Sequence, residues 1–246
     1  MVAVDEGGPM QRSGCASVCV AIALGCVATT APADDGSVVS VSGAVRLMKD
    51  QGSIRMVTET VRARVSPDSI EVDCVFVLKN EGAGDTVLVG FPDGSGGNEI
   101  LSFRSWVDGA EVKCRHVPDA DSTSDSSWWT KRVAFARGAV RTIRDHYTVE
   151  PSWYPTEGAS GFFYDLETGA SWKGTIGSAH IVATLDGIPL TRVLGADPEA
   201  RQVGRTFRWL FQNFEPGTGG SPVAVALRWR DPGRFGSVEE PDSLGK

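Results

Sequence analysis

Hydrophobic and polar residues alternate along most of the chain after residue 34, which is the two-residue period of a half-buried β-strand. The clearest example is RVSPDSIEVDCVFVLKN, in which the central PD predicts a turn because proline fixes φ and aspartate tolerates the next position. The pattern predicts an antiparallel hairpin with one apolar face and one salt-paired face. In this register the pairs are Val65 with Ile70, Ala63 with Val72, Val61 with Cys74, Arg64 with Glu71 and Arg62 with Asp73.

A second hairpin is predicted in LSFRSWVDGAEVKCRHV, because Asp108-Gly109 is typical of a type I′ turn. The predicted pairs there are Val107 with Ala110, Ser105 with Val112 and Phe103 with Cys114. Further strands are expected at 38–48, 85–91, 130–136, 139–149, 179–186, 204–212 and 222–229. Many short strands separated by Gly and Pro predict an all-β fold, namely a two-sheet antiparallel β-sandwich with long loops rich in aromatic residues and glycine.

Composition and charge limit the classes of function. With 41% hydrophobic and 22% charged residues the chain has the profile of a folded protein. The formal net charge of −7 repels phosphate backbones and anionic lipid surfaces, so we do not expect nucleic acid as a partner. No segment after residue 34 is apolar enough to cross a membrane, and we expect no transmembrane segment in the mature chain.

The N-terminal segment has the three parts of a secretory signal peptide. A short basic start at Met10 precedes a 14-residue apolar stretch, and Ala31-Pro32-Ala33 is a small-x-small cleavage site. Residues 1–9 carry two acids and no base, so we expect translation to begin at Met10.

These features predict three parts of the chain. Residues 1–33 are a signal peptide cleaved after Ala33, 34–235 form a single domain, and 236–246 are a flexible acidic tail. An alternative is a lipoprotein anchored through Cys26, although such signals have a leucine-like residue three positions earlier, where this chain has alanine. Either route predicts an extracytoplasmic protein, periplasmic or secreted.

Cys74 and Cys114 are the two cysteines beyond the signal segment, and both fall on predicted core faces. In an oxidising compartment they are a disulfide candidate. The alternative is two buried thiols that never meet.

The sequence shows no motif for a metal or a cofactor. His116, His146 and His180 lie on different predicted strands without metal-ligand spacing. Residues 119–125 have oxygen side chains at alternate positions but lack the glycine and the glutamate of a calcium loop. Phosphate-cradling glycine motifs are also missing, so we expect neither a metal ion nor a cofactor.

Two groups of residues are weighed for catalysis. The segment TGASWKG places Ser171 and Lys173 on one face of a strand, but no oxyanion element accompanies them. Asp165 and Glu167 resemble a glycosidase carboxylate pair, whereas exposed acids on strands are far commoner.

Aromatic residues in Gly-, Ser- and Pro-rich segments are better candidates for a site. Aromatic side chains that project from loops stack on sugars or anchor protein partners. The predicted ligand-binding residues are Trp153, Tyr154, Tyr164, Trp172 and Lys173. The alternative is a small core beneath long loops.

The segments TETVRARVSPDSIEVDCVFVLKNEG, DTVLVGFP, SFRSWVDGAEV, DHYTVEPSWYP and YDLETGASWKGTIGSAHIVATL together resemble a family of bacterial extracytoplasmic proteins classed as a domain of unknown function. The resemblance spans roughly residues 34–230 and is most specific at VGFP and TGASWKG. It implies a secreted β-rich domain and supplies no catalytic residues.

These patterns favour a non-enzymatic binding or structural role at the cell exterior, with a glycan or a cell-envelope protein as candidate partner. The alternative is an extracytoplasmic hydrolase that acts on glycans or peptides through Asp165 and Glu167.

Overall fold

The computed structural model describes residues 45–48, 52–94, 100–119 and 127–235, all of which lie in one compact unit, Asp35–Lys246. The predicted signal segment 1–33, the tail 236–246 and most of the 38–48 strand lie outside the described residues. Nearly all regular structure in the described part is β, which confirms the all-β class. That part contains no helix with the length and hydropathy of a membrane span.

The described strands follow one another from β1 to β16, with short helical turns between some of them. They are β1 (Arg46–Leu47), β2 (Ile54–Val65), β3 (Ile70–Asn80), β4 (Asp85–Asp93), β5 (Ser102–Val107), β6 (Ala110–Val112), β7 (Arg115–Pro118), β8 (Ser127–Phe135), β9 (Val140–Val149), β10 (Ser152–Tyr154), β11 (Ala159–Asp165), β12 (Ile176–Leu185), β13 (Val193–Asp197), β14 (Arg201–Val203), β15 (Thr206–Phe214) and β16 (Ala224–Arg230). The helical elements are the 3₁₀ turns Pro155–Glu157, Glu167–Ser171 and Leu190–Arg192, and α1 (Pro232–Phe235).

Hydrogen bonding places these strands in three sheets instead of the two that were predicted. The main sheet has eight strands in the order β14-β15-β12-β2-β3-β9-β5-β6. The β4/β8 sheet has the order β1-β4-β8-β7, and the β11/β16 sheet has the order β10-β11-β16-β13. The prediction of a purely antiparallel fold is wrong at one pair, since β12 runs parallel to β2. A parallel pair needs a long connection, and here most of the fold lies between the two strands along the chain.

The registers of both predicted hairpins are confirmed at their turns. Val65 pairs with Ile70 across the first turn, and the rest of the predicted first register is also present. Val107 pairs with Ala110 across the second turn, in which Asp108 and the following glycine have φ of 50° and 82°. Positive φ at both central positions is the signature of the type I′ turn.

The ion pairs on the first hairpin differ from those predicted. Arg64 Nη2 lies 2.6 Å from Asp186 Oδ2, in the turn after β12. Asp73 Oδ2 accepts a hydrogen bond from Arg144 Nε of β9 at 2.8 Å. The partners come from β9 and from the turn after β12, outside the hairpin, so the local pattern could not reveal them.

The core lies between the inner face of the main sheet and the two smaller sheets. One cluster of buried apolar side chains draws members from all three sheets. Phe91 of β4 packs on Tyr147 of β9 with ring centroids 5.0 Å apart. Tyr164 of β11 donates a hydrogen bond to Glu59 of β2 at 2.6 Å. The layers are therefore held together both by apolar packing and by buried polar contacts.

Cys74 and Cys114 are free thiols in this structure, not a disulfide. Cys74 lies on β3, and β9 separates that strand from β5. The ladder between β5 and β6 ends at Val112, so the predicted pair of Phe103 with Cys114 is not part of it. Cys114 follows β6, which pairs with the far edge of β5. From β3 to β6 there are three strand spacings, about 14 Å, which exceeds the roughly 7 Å between Cα atoms that a disulfide can bridge.

Candidate functional site

The five residues predicted to bind a ligand do not come together in one exposed cleft. Tyr154, Tyr164 and Trp172 are buried, with 8%, 0% and 3% of their surface exposed. Trp153 is 42% exposed on β10. Lys173 is at the surface, where its Nζ lies 3.0 Å from Glu81 Oε2. Tyr164 of β11 belongs to the buried core cluster. Tyr154 of β10 is covered instead by Arg228, whose guanidinium carbon lies 5.8 Å from the centre of its ring.

The TGASWKG segment is an architectural element. Trp172 Nε1 donates a hydrogen bond to the carbonyl oxygen of Val45 at 2.7 Å, inside the core. Ser171 Oγ accepts from the backbone N–H of Leu47 at 2.9 Å and donates to the carbonyl oxygen of Thr168 at 3.0 Å. Ser171 and Lys173 are thus each engaged by other partners, and they do not form a catalytic dyad.

A cleft of about 470 Å³ opens beside this segment, and it is the candidate site. Its walls come from β1, from the ends of β4, β8 and β11, and from the 3₁₀ turn Glu167–Ser171. Its charged lining residues are Arg46, Asp93, Asp119, Asp165 and Glu167, and Trp128 lies among them. Because carboxylates outnumber basic groups in this lining, we call it the acidic cleft.

Asp165 is a carboxyl group of the cleft whose pKa is shifted by its surroundings. Burial raises the pKa of its carboxyl to about 6, against an opposing effect of the hydrogen bond from the backbone N–H of Glu167. That bond joins Glu167 N to Asp165 Oδ1 at 2.7 Å. Asp165 forms no ion pair with a basic side chain in the part of the chain that the structure describes. A partly desolvated carboxyl of this kind favours a ligand that donates hydrogen bonds or carries positive charge.

Asp93 organises the opposite wall. Its buried carboxylate accepts hydrogen bonds from the backbone N–H of Ile100 at 2.7 Å and from Trp129 Nε1 at 3.1 Å. His116 Nε2 lies 2.7 Å from Asp93 Oδ2, and Ser127 Oγ lies 2.7 Å from the same ring nitrogen.

This cluster is not a catalytic triad. In a triad the carboxylate and the nucleophile contact different nitrogens of the imidazole. Here Asp93 and Ser127 share Nε2 of His116, so the histidine cannot relay a proton between them. The cluster instead fixes the ends of β4, β7 and β8 around the cleft.

Arg46 partly balances the acidic groups. Its guanidinium carbon lies 5.5 Å from the centre of the Trp128 ring, within the range of a cation–π contact. The side chain of Trp128 is 6% exposed, so the indole supports the arginine from below. An acidic lining with one guanidinium suits a small polar ligand.

No metal centre is assigned. Among residues of the described ranges, no group of three His, Cys, Asp or Glu side chains is placed to hold a metal ion. His116, His146 and His180 lie on β7, β9 and β12. Most of the segment 119–125, weighed above as a calcium loop, lies outside the described residues.

The sequence identified part of this site and missed the rest. Asp165 and Glu167 were candidates as a carboxylate pair, and both line the cleft. Asp93 opens the DGSGGNE stretch, whose glycines indicate only a turn. Arg46 carries no local signal, because its role depends on the approach of β1 to Trp128.

No protein-family model and no curated protein matches the sequence. The resemblance to a family of bacterial extracytoplasmic proteins therefore stays a prediction.

Among solved structures, the fold is similar to that of a candidate nutrient-binding protein from Legionella pneumophila, with 17% identity and a TM-score of 0.57 over 78% of this chain and 72% of that chain. An M1 zinc metallopeptidase from Deinococcus radiodurans gives 10% identity and a TM-score of 0.40 over 73% of this chain and 43% of that chain. Leukotriene A4 hydrolase from Saccharomyces cerevisiae gives 11% identity and a TM-score of 0.44 over 74% and 30%. The chain thus spans less than half the length of these two enzymes, and at such identities the likeness concerns the fold alone.

Proposed function

We propose that this protein is a non-enzymatic binding protein of the cell exterior that holds a small polar ligand in the acidic cleft. The observation that carries the proposal is a cleft of about 470 Å³ that the carboxyl of Asp165 lines, with no basic partner among the described residues. Ligand sites in proteins have volumes of about 300 to 1,000 Å³ and a few polar groups that converge.

The lining indicates the class of ligand. The lining contains four carboxylates and one guanidinium, so the cleft favours a ligand with hydroxyl or amino groups over an anion. Trp128, which is 6% exposed, holds the guanidinium of Arg46 at the wall of the cleft. The similarity in fold to the candidate nutrient-binding protein supports a binding role. The location outside the cytoplasm is supported by the signal-like N-terminus.

Thermal-shift and calorimetric titrations test the proposal, with neutral sugars, amino sugars and small diamines as probes. We expect one of these classes to raise the melting temperature of the wild type and of Glu111→Gln, a control on β6 away from the cleft. Asp165→Asn should weaken binding about tenfold, because a charge-assisted hydrogen bond is lost. If Asp165→Asn binds as tightly as the wild type, the cleft is not the site.

A hydrolase is the second candidate, and one observation favours it. Asp165, whose pKa burial raises to about 6, lies beside a second acid, Glu167, at the wall of the cleft. Glycosidases use two carboxyl groups, one of which is kept protonated by its surroundings. Turnover of glycan or peptide substrates that disappears in both Asp165→Asn and Glu167→Gln would establish this function. Binding without turnover would exclude it in favour of the first.

A further inference from the structure

The outer face of the main sheet has two halves with different charge balance. On the half formed by β3, β9 and β5, the arginines have acidic partners. Arg104 Nη2 lies 2.8 Å from Glu111 Oε2, and Arg144 Nε donates to Asp73 Oδ2 at 2.8 Å. The arginines of this half are thus neutralised by neighbouring acids.

Three arginines on the other half lack such partners among the described residues. Arg201 of β14 lies directly opposite Arg208 of β15. Arg62 of β2 continues the same row across the sheet, with Val182 of β12 between it and Arg208. All three arginines are exposed, and within the described ranges none of them forms an ion pair or a side-chain hydrogen bond. Like charges opposite one another destabilise a sheet, so this row costs stability unless an anionic group covers it.

Exposed apolar side chains accompany these arginines. Leu210 is 63% exposed and Val203 is 56% exposed. Each lies two positions beyond an arginine on the same strand, Leu210 after Arg208 and Val203 after Arg201, and therefore on the same face. Arginine among apolar residues, with few acids or lysines, is the composition of a protein–protein contact. We call these five residues, Arg62, Arg201, Val203, Arg208 and Leu210, the arginine patch.

We infer that the arginine patch is a docking surface for a protein partner that presents carboxylates around an apolar side chain. The whole chain carries a net charge of −7, so an acidic partner is repelled by most of the molecule and attracted to this face. A polysaccharide or phosphate polymer would leave Leu210 and Val203 in water, whereas a polypeptide covers them.

The dimensions of the sheet allow such a contact. Eight strands at a spacing of about 4.8 Å give a face roughly 35 Å across. A stable protein–protein contact buries about 800 Å² on each partner, which a face of this width accommodates. The acidic cleft is bounded by the β4/β8 and β11/β16 sheets, so the docking surface and the cleft are separate sites.

Binding of defined polymers to the full chain tests this inference. The probes are a copolymer of glutamate and leucine, poly-L-glutamate, and alginate as a carboxylate polymer without apolar side chains. The patch variant is Arg62→Ala/Arg208→Ala. The control is Arg132→Ala/Arg137→Ala, which removes two exposed arginines of and beside β8 that form no ion pair within the described ranges.

We expect the copolymer to bind the wild type and the control equally, and the patch variant on the order of tenfold more weakly. Binding should fall as salt rises, because exposed charges are screened. Leu210→Ser should weaken binding of the copolymer and leave binding of poly-L-glutamate unchanged.

Three results would each overturn the inference. If the patch variant and the control variant lose the same amount of copolymer binding, the copolymer is attracted to positive charge in general and not to the patch. Alginate binding as tight as that of the copolymer would indicate a polyanion site. Self-association of the wild type in analytical ultracentrifugation, abolished in the patch variant, would identify a second copy of this chain as the occupant.

Discussion

The ion pair between Lys131 and Asp145 is buried on both sides. Lys131 Nζ donates to both carboxylate oxygens at 2.7 Å, and the two side chains are 1% and 0% exposed. Removing both charges from water is costly, and only their close attraction offsets that cost. Each charge in the core therefore depends on the other.

Lys131→Met should destabilise the protein by about 3 to 5 kcal/mol, because it leaves the carboxylate of Asp145 buried without its basic partner. The double variant Lys131→Met/Asp145→Leu should recover most of that loss. Urea unfolding followed by tryptophan fluorescence measures both free energies of unfolding. A double variant as unstable as the single one would show that the pair is not the source of the loss.

The two free thiols should react at different rates. Burial raises the pKa of both cysteines, and Cys74 is fully buried whereas Cys114 is half-buried. Since the thiolate is the reactive species, iodoacetamide should modify Cys114 first in the native protein and Cys74 only on unfolding. Mass spectrometry of unreduced, denatured protein should show a label on each of these two cysteines. Absence of label there would demonstrate the disulfide that the sequence suggested.

At the level of elements, the parallel pairing of β12 with β2 depends on close backbone approach. The register of β2 shifts between Met56 and Thr58, which marks a bulge at Val57. A Cβ atom on Gly177 of β12 would lie 2.4 Å from the carbonyl oxygen of Val57. Glycine at 177 is therefore a packing requirement of this junction.

Gly177→Ala should destabilise the protein by about 1 to 3 kcal/mol, the usual cost of overpacking. Gly195→Ala is the matched control, because a Cβ atom at that position of β13 has no neighbour within 4 Å. Differential scanning calorimetry should show a lower melting temperature for the first variant and little change for the second. Equal melting temperatures would mean that β2 moves to accept the methyl group.

The elements that the sequence predicted well are hairpins, whose two strands are neighbours along the chain. The hairpin turns at Pro67 and Gly109 bring neighbouring strands together, so alternation and turn chemistry determine their registers. The pairing of β12 with β2 joins residues more than 100 positions apart, such as Ile181 with Val61. A two-residue period says which face of a strand is buried and nothing about which distant strand it meets.

For the whole molecule, the same limit applies to the candidate site. Arg46, Asp93, Trp128 and Asp165 come from four strands and meet only after the sheets have packed. The carboxylate pair at Asp165 was visible in the sequence because its members are close neighbours. The predicted aromatic site did not form, because Trp172 is buried through a contact with Val45, a residue far away along the chain. The local sequence could not show that contact.

The packing of the sheets also buries a carboxyl group, and its ionisation should make the free energy of unfolding depend on pH. Glu59 of β2 is 1% exposed, and Tyr164 of β11 donates to its Oε1 at 2.6 Å. In the part of the chain that the structure describes, its Oε2 is buried without a hydrogen-bond partner. Burial raises the pKa of this carboxyl from its ordinary value of 4.5 to about 7, despite the opposing effect of the tyrosine hydrogen bond.

Because the folded pKa lies above the unfolded one, the contribution of Glu59 is fully present below pH 4.5 and is lost as the pH rises through about 7. The loss amounts to roughly 3 kcal/mol of the free energy of unfolding. A glutamine side chain cannot ionise, so the Glu59→Gln variant should gain stability relative to the wild type between about pH 5 and about pH 8. Urea unfolding at both pH values measures this gain, and Glu71→Gln on the exposed face of β3 should not show it. If the wild type and Glu59→Gln respond to pH alike, Glu59 is ionised in the folded protein at both values, and water or another donor must reach its Oε2.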